Sequence, residues 1–262
     1  MNYSLISKII GIMLILFSLM LVIPITVSLL YDDGNVITFI YSFIIILLFG
    51  IILYFPNNRS RSDIKTKEGF LIVVAFWLVL SLFGSIPFMF DKQLSFGFAD
   101  AFFESISGWT TTGATVIENI DILSPSLLIY RQELQWLGGM GIVILALAIL
   151  PMLGVGGMHL YKAESTGPIK DNKITPRIAE TAKSLWAIYL GLTVICAFAY
   201  YLAGMTLFDA IAHSFSTIAI GGFSTHNLSI GYFNSSLIEL ICIFFMLISA
   251  LNFILHFMAI KT

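Results

Sequence analysis

An all-α polytopic membrane protein is the fold class this sequence predicts, and three observations predict it. Of its 262 residues, 58% are hydrophobic and 11% charged, against roughly 45 to 50% apolar usage in soluble domains. Six apolar stretches reach about 20 residues, the length a helix needs to cross a bilayer. Two further stretches, 91–131 and 205–235, are too broken to span yet too rich in Phe, Ile, Ala and Gly for soluble loops, as re-entrant hairpins would be.

The first apolar run, from about Ile9 to Leu30, follows one lysine, Lys8. It exceeds the ~7 to 15 residues of a signal-peptide core, so it reads as a retained helix. The other spans are 36–55, 70–90, 133–153, 184–204 and 237–257. Basic residues gather on alternate connections: Lys8, then Arg59, Arg61, Lys65 and Lys67, then Lys162, Lys170, Lys173, Arg177 and Lys183, then Lys261. The opposite side has Asp32 and Asp33, then only Lys92 and Arg131, and no Lys or Arg over 205–235. The positive-inside rule puts both termini in the cytoplasm. A net charge of −2 gives no bulk electrostatic case for a nucleic-acid partner.

Inside each broken stretch lies a short amphipathic segment, Phe98 to Gly108 and Leu207 to Thr217, followed by a Gly/Thr-rich piece. A shift of 109 residues lays FADAFFESISGWTTTGATV over LFDAIAHSFSTIAIGGFST. Asp100, Ala101, Ser105, Ser107 and Gly113 then meet Asp209, Ala210, Ser214, Ser216 and Gly222, and Thr115 meets Ser224. The flanking spans pair in the same order, so the repeating unit is helix, re-entrant hairpin, helix. This divides the chain into two leading helices with a basic loop (1–66), repeat one (67–160), a cytoplasmic linker (161–183) and repeat two (184–262). Two parallel repeats suit an axis along the membrane normal, with both hairpins around one hole. Small residues there (Thr110 to Ala114, Ile220 to Gly222) offer hydroxyls and carbonyls to a hard, dehydrated cation such as potassium. The bland alternative is close packing of small residues between helices.

Other polar residues are weighed singly. Asp100 and Asp209 open the short segments, where a carboxylate caps free N–H groups or attracts cations. Glu104 and its counterpart His213 are read as a polar bracket behind the loops rather than a titrating gate. Arg131 with Glu133 reads as an interfacial anchor pair. Cys196 and Cys242 sit in apolar runs and read as buried hydrophobes, not a disulfide or zinc site. His159, His226 and His256 form no HExxH spacing, and no nucleotide-binding glycine motif occurs, so neither a metal centre nor an enzyme is expected. An intramembrane enzyme would need clustered His, Glu or Asp where these hairpins carry Thr and Gly.

KEGFLIV (67–73), DAFFES (100–105), TTTGAT (110–115), YRQELQWLGGMGIVILALAILPMLGVGGM (130–158), DNKITPRIAETAK (171–183) and HSFSTIAIGGFSTHN (213–227) carry a resemblance to a known family. The chain resembles the Trk/Ktr/HKT superfamily of potassium transporters, specifically the membrane subunit of bacterial Trk uptake systems (TrkH type). The resemblance implies two leading helices and four membrane-pore-membrane repeats around one pore, of which this chain has the first two. It implies a filter of Thr111, Thr112 and Gly113 in repeat one and Ile220, Gly221 and Gly222 in repeat two. Potassium would be held at Thr111, Thr112, Ile220 and Gly221. It also implies symport across the bacterial inner membrane, no organic cofactor, a homodimer in membrane lipid, and a cytoplasmic nucleotide-binding regulatory subunit (TrkA type), with the 161–183 loop contributing to its docking. Only half of a filter is present, so the sequence is expected to be a fragment or a truncated gene. A sodium-permeable or cation-coupled transporter and a truncated non-conducting scaffold are the alternatives.

Overall fold

The computed structural model describes residues 2–58, 66–149 and 178–251, together with 253 and 256. All regular structure among these is helical. α1 (Tyr3–Met20) and α2 (Val22–Tyr31) follow one another through Leu21. The break has a local cause, because Pro24 has no N–H to give the Met20 carbonyl. α3 is Val36–Tyr54, α4 Thr66–Gly84 and α5 Ile86–Phe90. α6 (Phe98–Trp109), α7 (Pro125–Ile149), α8 (Ile178–Leu202), α9 (Leu207–Ala219) and α10 (Ser236–Ala250) complete the order.

Among the described residues, four helical stretches are long and apolar enough to cross a membrane: Tyr3–Tyr31, Val36–Asn57, Glu68–Phe90 and Ser184–Leu202. They match the first, second, third and fifth expected spans. The fourth expected span differs, since α7 begins at Pro125 rather than at 133 and so carries Arg131, Gln132, Glu133 and Gln135 within it. Ser236–Ala250 is a shorter apolar helix at the place of the sixth. Large apolar side chains face outward along α8 and α10, among them Val194, Phe198, Leu240 and Leu247, the surface a bilayer tolerates and water does not. Lys8 donates to the Asn58 carbonyl at 2.8 Å, bringing the start of α1 to the end of α3. The linker 161–183 lies outside the described residues as far as residue 177.

The helix α7 is the centre of the packing, in contact with α2, α6, α8 and α9. One face enters a core of Phe39, Phe88, Trp109, Leu127 and Tyr130. The other enters a second core with Trp136, Met140, Tyr189 and Tyr200. Two of the buried polar groups there are paired: the Tyr130 hydroxyl donates to the Gly84 carbonyl at 2.7 Å, and Trp136 Nε1 to Thr193 at 3.0 Å.

A polar knot fixes where α7 starts. Asn35 Nδ2 reaches Asp91 at 2.8 Å and Ser124 at 2.7 Å, and the Ser126 N–H donates to Asp33 Oδ2 at 2.9 Å. Asp33 thereby caps the first turn of α7 from another element, where the helix dipole favours an anion. Burial alone would raise the Asp33 carboxyl, but hydrogen bonds from Ser28, Ser126 and Asn35 outweigh it and hold it below the ordinary carboxylate value. A depressed folded-state value stabilises above the unfolded value of about 3.9, and that contribution is lost as pH falls through the folded one. Asp33→Asn is therefore expected to lower the unfolding midpoint in detergent at pH 7 by about 3 °C. The gap to the parent should close as pH falls below the unfolded value of about 3.9, which thermal melts across the acid range check.

Candidate functional site

The two short helices end at one place. A Cβ on Gly138 would stand 1.9 Å from the Trp109 carbonyl oxygen, and one on Gly139 would stand 3.1 Å from Ala219 Cα. Consecutive glycines of α7 thus receive the C-terminal ends of α6 and α9, and no larger residue would admit both. Each helix C-terminus carries about half a unit of negative charge on its unpaired carbonyls, which suits a nearby cation.

Beyond those ends the backbone takes the same path twice at the 109-residue register. Thr111 (φ 53°) and Ile220 (φ 54°) are both left-handed, as are Gly113 (φ 76°) and Gly222 (φ 85°). The Thr112 N–H donates to Ser107 O at 2.9 Å, and the Gly221 N–H to Ser216 O at 2.8 Å. Thr111 bonds Gly108 and Ile220 bonds Thr217 at matched positions. The strands touch: a Cβ on Gly113 would fall 2.2 Å from the Gly221 carbonyl oxygen. Gly113 is therefore needed for contact as well as for its dihedral angle. No atom of the described residues lies within 4 Å of a Cβ built on Gly222, and its positive φ is what calls for glycine there. Among the expected site residues, Thr112, Ile220 and Gly222 are exposed, Thr111 and Gly113 half-buried, and Gly221 buried.

The bracket expected of Glu104 and His213 is what their hydrogen bonds make. Glu104 Oε2 accepts from the Thr115 hydroxyl at 2.9 Å and the Val116 N–H at 3.1 Å. The equivalent His213 Nε2 lies 2.9 Å from the Ser224 hydroxyl. His213 Nδ1 faces the Asp209 carbonyl at 2.9 Å, an acceptor only, so Nδ1 carries the proton and the neutral ring accepts from Ser224 at Nε2. Each hydroxyl then accepts a backbone N–H two residues on, Thr115 from Ile117 at 3.0 Å and Ser224 from His226 at 3.1 Å.

Two expectations are corrected. Arg131 is not an interfacial anchor paired with Glu133. It is fully buried, and its Nε meets Glu104 Oε1 at 2.8 Å. Residues two apart on a helix do not face each other, and Glu133 is buried with no hydrogen-bond partner among the described residues. Nor do the aspartates cap by their carboxylates. α6 has no side-chain cap, and the Thr206 hydroxyl caps α9, while Asp209 accepts from Thr206 and Thr225, each at 2.7 Å. Asp100 is exposed in the first turn of α6.

Arg131 also joins the repeats. Nη1 donates to the Ser224 carbonyl at 3.1 Å, and the guanidinium lies 4.2 Å over the Phe223 ring. One turn along, Gln135 Nε2 donates to Gly221 O at 2.7 Å and Oε1 accepts from the Phe223 N–H at 3.0 Å. Sequence reading missed both braces. The available signal was a basic and an amide side chain four apart in a helix otherwise apolar enough to be buried. Further out, His226 Nδ1 stands 3.2 Å from Asp121, and Asn227 Oδ1 accepts from the Ile120 N–H at 2.7 Å, tying the repeats a second time.

Removing one partner of a buried pair strands the other charge, at about 3 to 5 kcal/mol. Arg131→Met and Glu104→Gln are each expected to destabilise on that scale, and the double substitution by less than their sum. Unfolding of the purified protein in detergent, read as a double-mutant cycle, measures the difference.

The pattern of the TrkH family, described as cation transport protein, matches residues 35–262. The Trk system potassium uptake protein TrkH of Vibrio parahaemolyticus is 57% identical over 259 residues, covering 99% of this chain and 53% of the relative. The TrkH protein of Escherichia coli K12 is 55% identical over 257 residues, 98% of this chain and 53% of the relative. The crystal structure of the potassium transporter TrkH from Vibrio parahaemolyticus superposes with a TM-score of 0.87 at 53% identity, over 98% of this chain and 52% of that one. The chain spans about half the length of the curated relatives it matches. On a family match across most of its length, the chain belongs to the TrkH family of cation transport proteins.

Proposed function

We propose that this chain forms half of a potassium uptake pore of the Trk type in a bacterial inner membrane. Its segments 91–131 and 205–235 are re-entrant hairpins, both termini are cytoplasmic, and the chain divides at 66/67, 160/161 and 183/184. The observation that carries this reading is the doubled backbone path, two strands of matched left-handed geometry leaving two helix C-termini that meet on α7. Such strands concentrate oxygen atoms and partial negative charge, as replacement of a cation's hydration shell requires.

The filter residues are Thr111, Thr112 and Gly113 with Ile220, Gly221 and Gly222, and potassium is the transported ion. Thr111, Thr112 and Ile220 supply oxygens to it. The Gly221 oxygen already accepts from Gln135, which draws the remaining ligand of the second strand from its neighbour. The other filter strands come from the part of the relatives' length that this chain does not span. A cytoplasmic nucleotide-binding subunit of the TrkA type and a homodimeric assembly complete the system, in keeping with relatives named for a Trk system. The chain has no enzymatic role.

The test is rubidium uptake and growth at low potassium in an uptake-deficient bacterium, using this sequence completed with the remaining half of the Vibrio relative. The chimera is expected to restore both. Gly222→Ser forces a non-glycine residue into left-handed backbone at about 1 to 2 kcal/mol, so a loss of potassium over sodium preference of about tenfold is expected. Gly113→Ser, which also collides with Gly221, should lose at least as much. Parental ion preference in both variants would refute the filter.

A further inference from the structure

Gln135 is fully buried on α7, one turn beyond Arg131. Its two hydrogen bonds, to Gly221 O and from the Phe223 N–H, bracket the single residue Gly222. In a trans peptide the C=O and N–H point opposite ways, and the described peptide bonds are all trans. Because the Phe223 N–H points at Gln135, the carbonyl of Gly222 points away from α7. The Gly221 carbonyl is the one turned toward α7, where it accepts from the Gln135 carboxamide. Exposure agrees, with Gly221 buried and Gly222 exposed beside open space.

A side chain at Gly221 would prevent this arrangement, since a Cβ there would stand 2.4 Å from both the amide carbon and the oxygen of Gln135. The ring of Phe223, stacked under Arg131, fixes the far end of the bracketed segment. The first strand is held by other means: the Thr110 and Thr112 hydroxyls are 2.8 Å apart, and Ser107 donates to the Ala114 carbonyl at 2.5 Å.

We propose that Gln135 is the positioning residue that sets the cation preference of the second strand, holding the peptide planes on either side of Gly222 so that the Gly222 carbonyl oxygen, not that of Gly221, faces the ion. This rests on the reading of the two strands as a potassium filter. Discrimination between cations depends on the number and direction of such carbonyl dipoles. The carboxamide suits the task because it supplies one donor and one acceptor in a fixed plane.

The same chimera tests it, by competition of sodium against rubidium uptake at matched protein levels in the membrane. Gln135→Leu is expected to lower the potassium over sodium preference about tenfold, the scale of a lost buried hydrogen bond. Gln135→Glu, which can keep the bond from Phe223, should retain more preference than the leucine variant. Gln132→Leu removes a buried amide that has no hydrogen-bond partner among the described residues and should leave the preference at the parental value. Parental preference in Gln135→Leu overturns the proposal, as does an equal loss in Gln132→Leu; if the leucine variant does not reach the membrane, Gln135→Met decides by the same criterion. A parent chimera without rubidium uptake instead overturns the filter reading itself, and this proposal with it.

Discussion

A guanidinium with no exposed surface in an apolar helix is the constraint on which the arrangement depends. Arg131 cannot lose its charge in proteins, and an unpaired buried cation is prohibitively costly. Glu104 must therefore stand within hydrogen-bond reach, and it does so from α6, at 2.8 Å. Two further donors of Arg131 go to the Thr115 hydroxyl and the Ser224 carbonyl. One charge pair thus fixes the distance between α6 and α7 and the position of both polar strands. A buried pair of this kind is weak evidence for net stability, but it is strong evidence that the groups around it occupy one arrangement.

The same helix meets this constraint with ordinary packing on its other sides. Tyr130 and Leu127 enter one aromatic core, and Trp136 and Met140 enter the other. Arg131 and Gln135, four apart, form a polar stripe toward the strands. Gly138 and Gly139 then remove the side chains where the short helices end. Three kinds of surface on one helix put two helix C-termini, two strands and one cation side by side, and Asp33 at its first turn fixes where that helix begins.

Much of this was legible in one dimension. The short amphipathic segments expected from Phe98 and from Leu207 are helices beginning at those residues, because an apolar stripe at helical spacing is visible in the sequence. The register of 109 residues holds down to single hydrogen bonds, since aligned Ser, Thr and Gly keep both the caps and the dihedral angles. Arg131 was not legible, because its partner lies 27 positions away on another helix, whereas Glu133 is adjacent in the text. Gln135 was hidden for a related reason: its partners are backbone atoms of a strand 86 to 88 positions along, and no residue type marks a carbonyl as someone's acceptor.

The repeat also separates what the backbone requires from what the side chains decide. The turn after each short helix is the same, yet a carboxylate and the arginine's Nη2 hold the first strand, whereas an imidazole, an amide and the same arginine's Nη1 hold the second. Duplicated backbone with divergent braces means that equivalent oxygens need not be equally available. The Gly221 oxygen accepts from Gln135, and at the equivalent Thr112 it is a hydroxyl, engaged with Thr110, that the second strand does not possess. Fourfold pores built from identical chains cannot make this distinction. Repeats within one chain can brace each strand separately, and here two of the bracing side chains, Arg131 and Gln135, lie in the helix behind the strands.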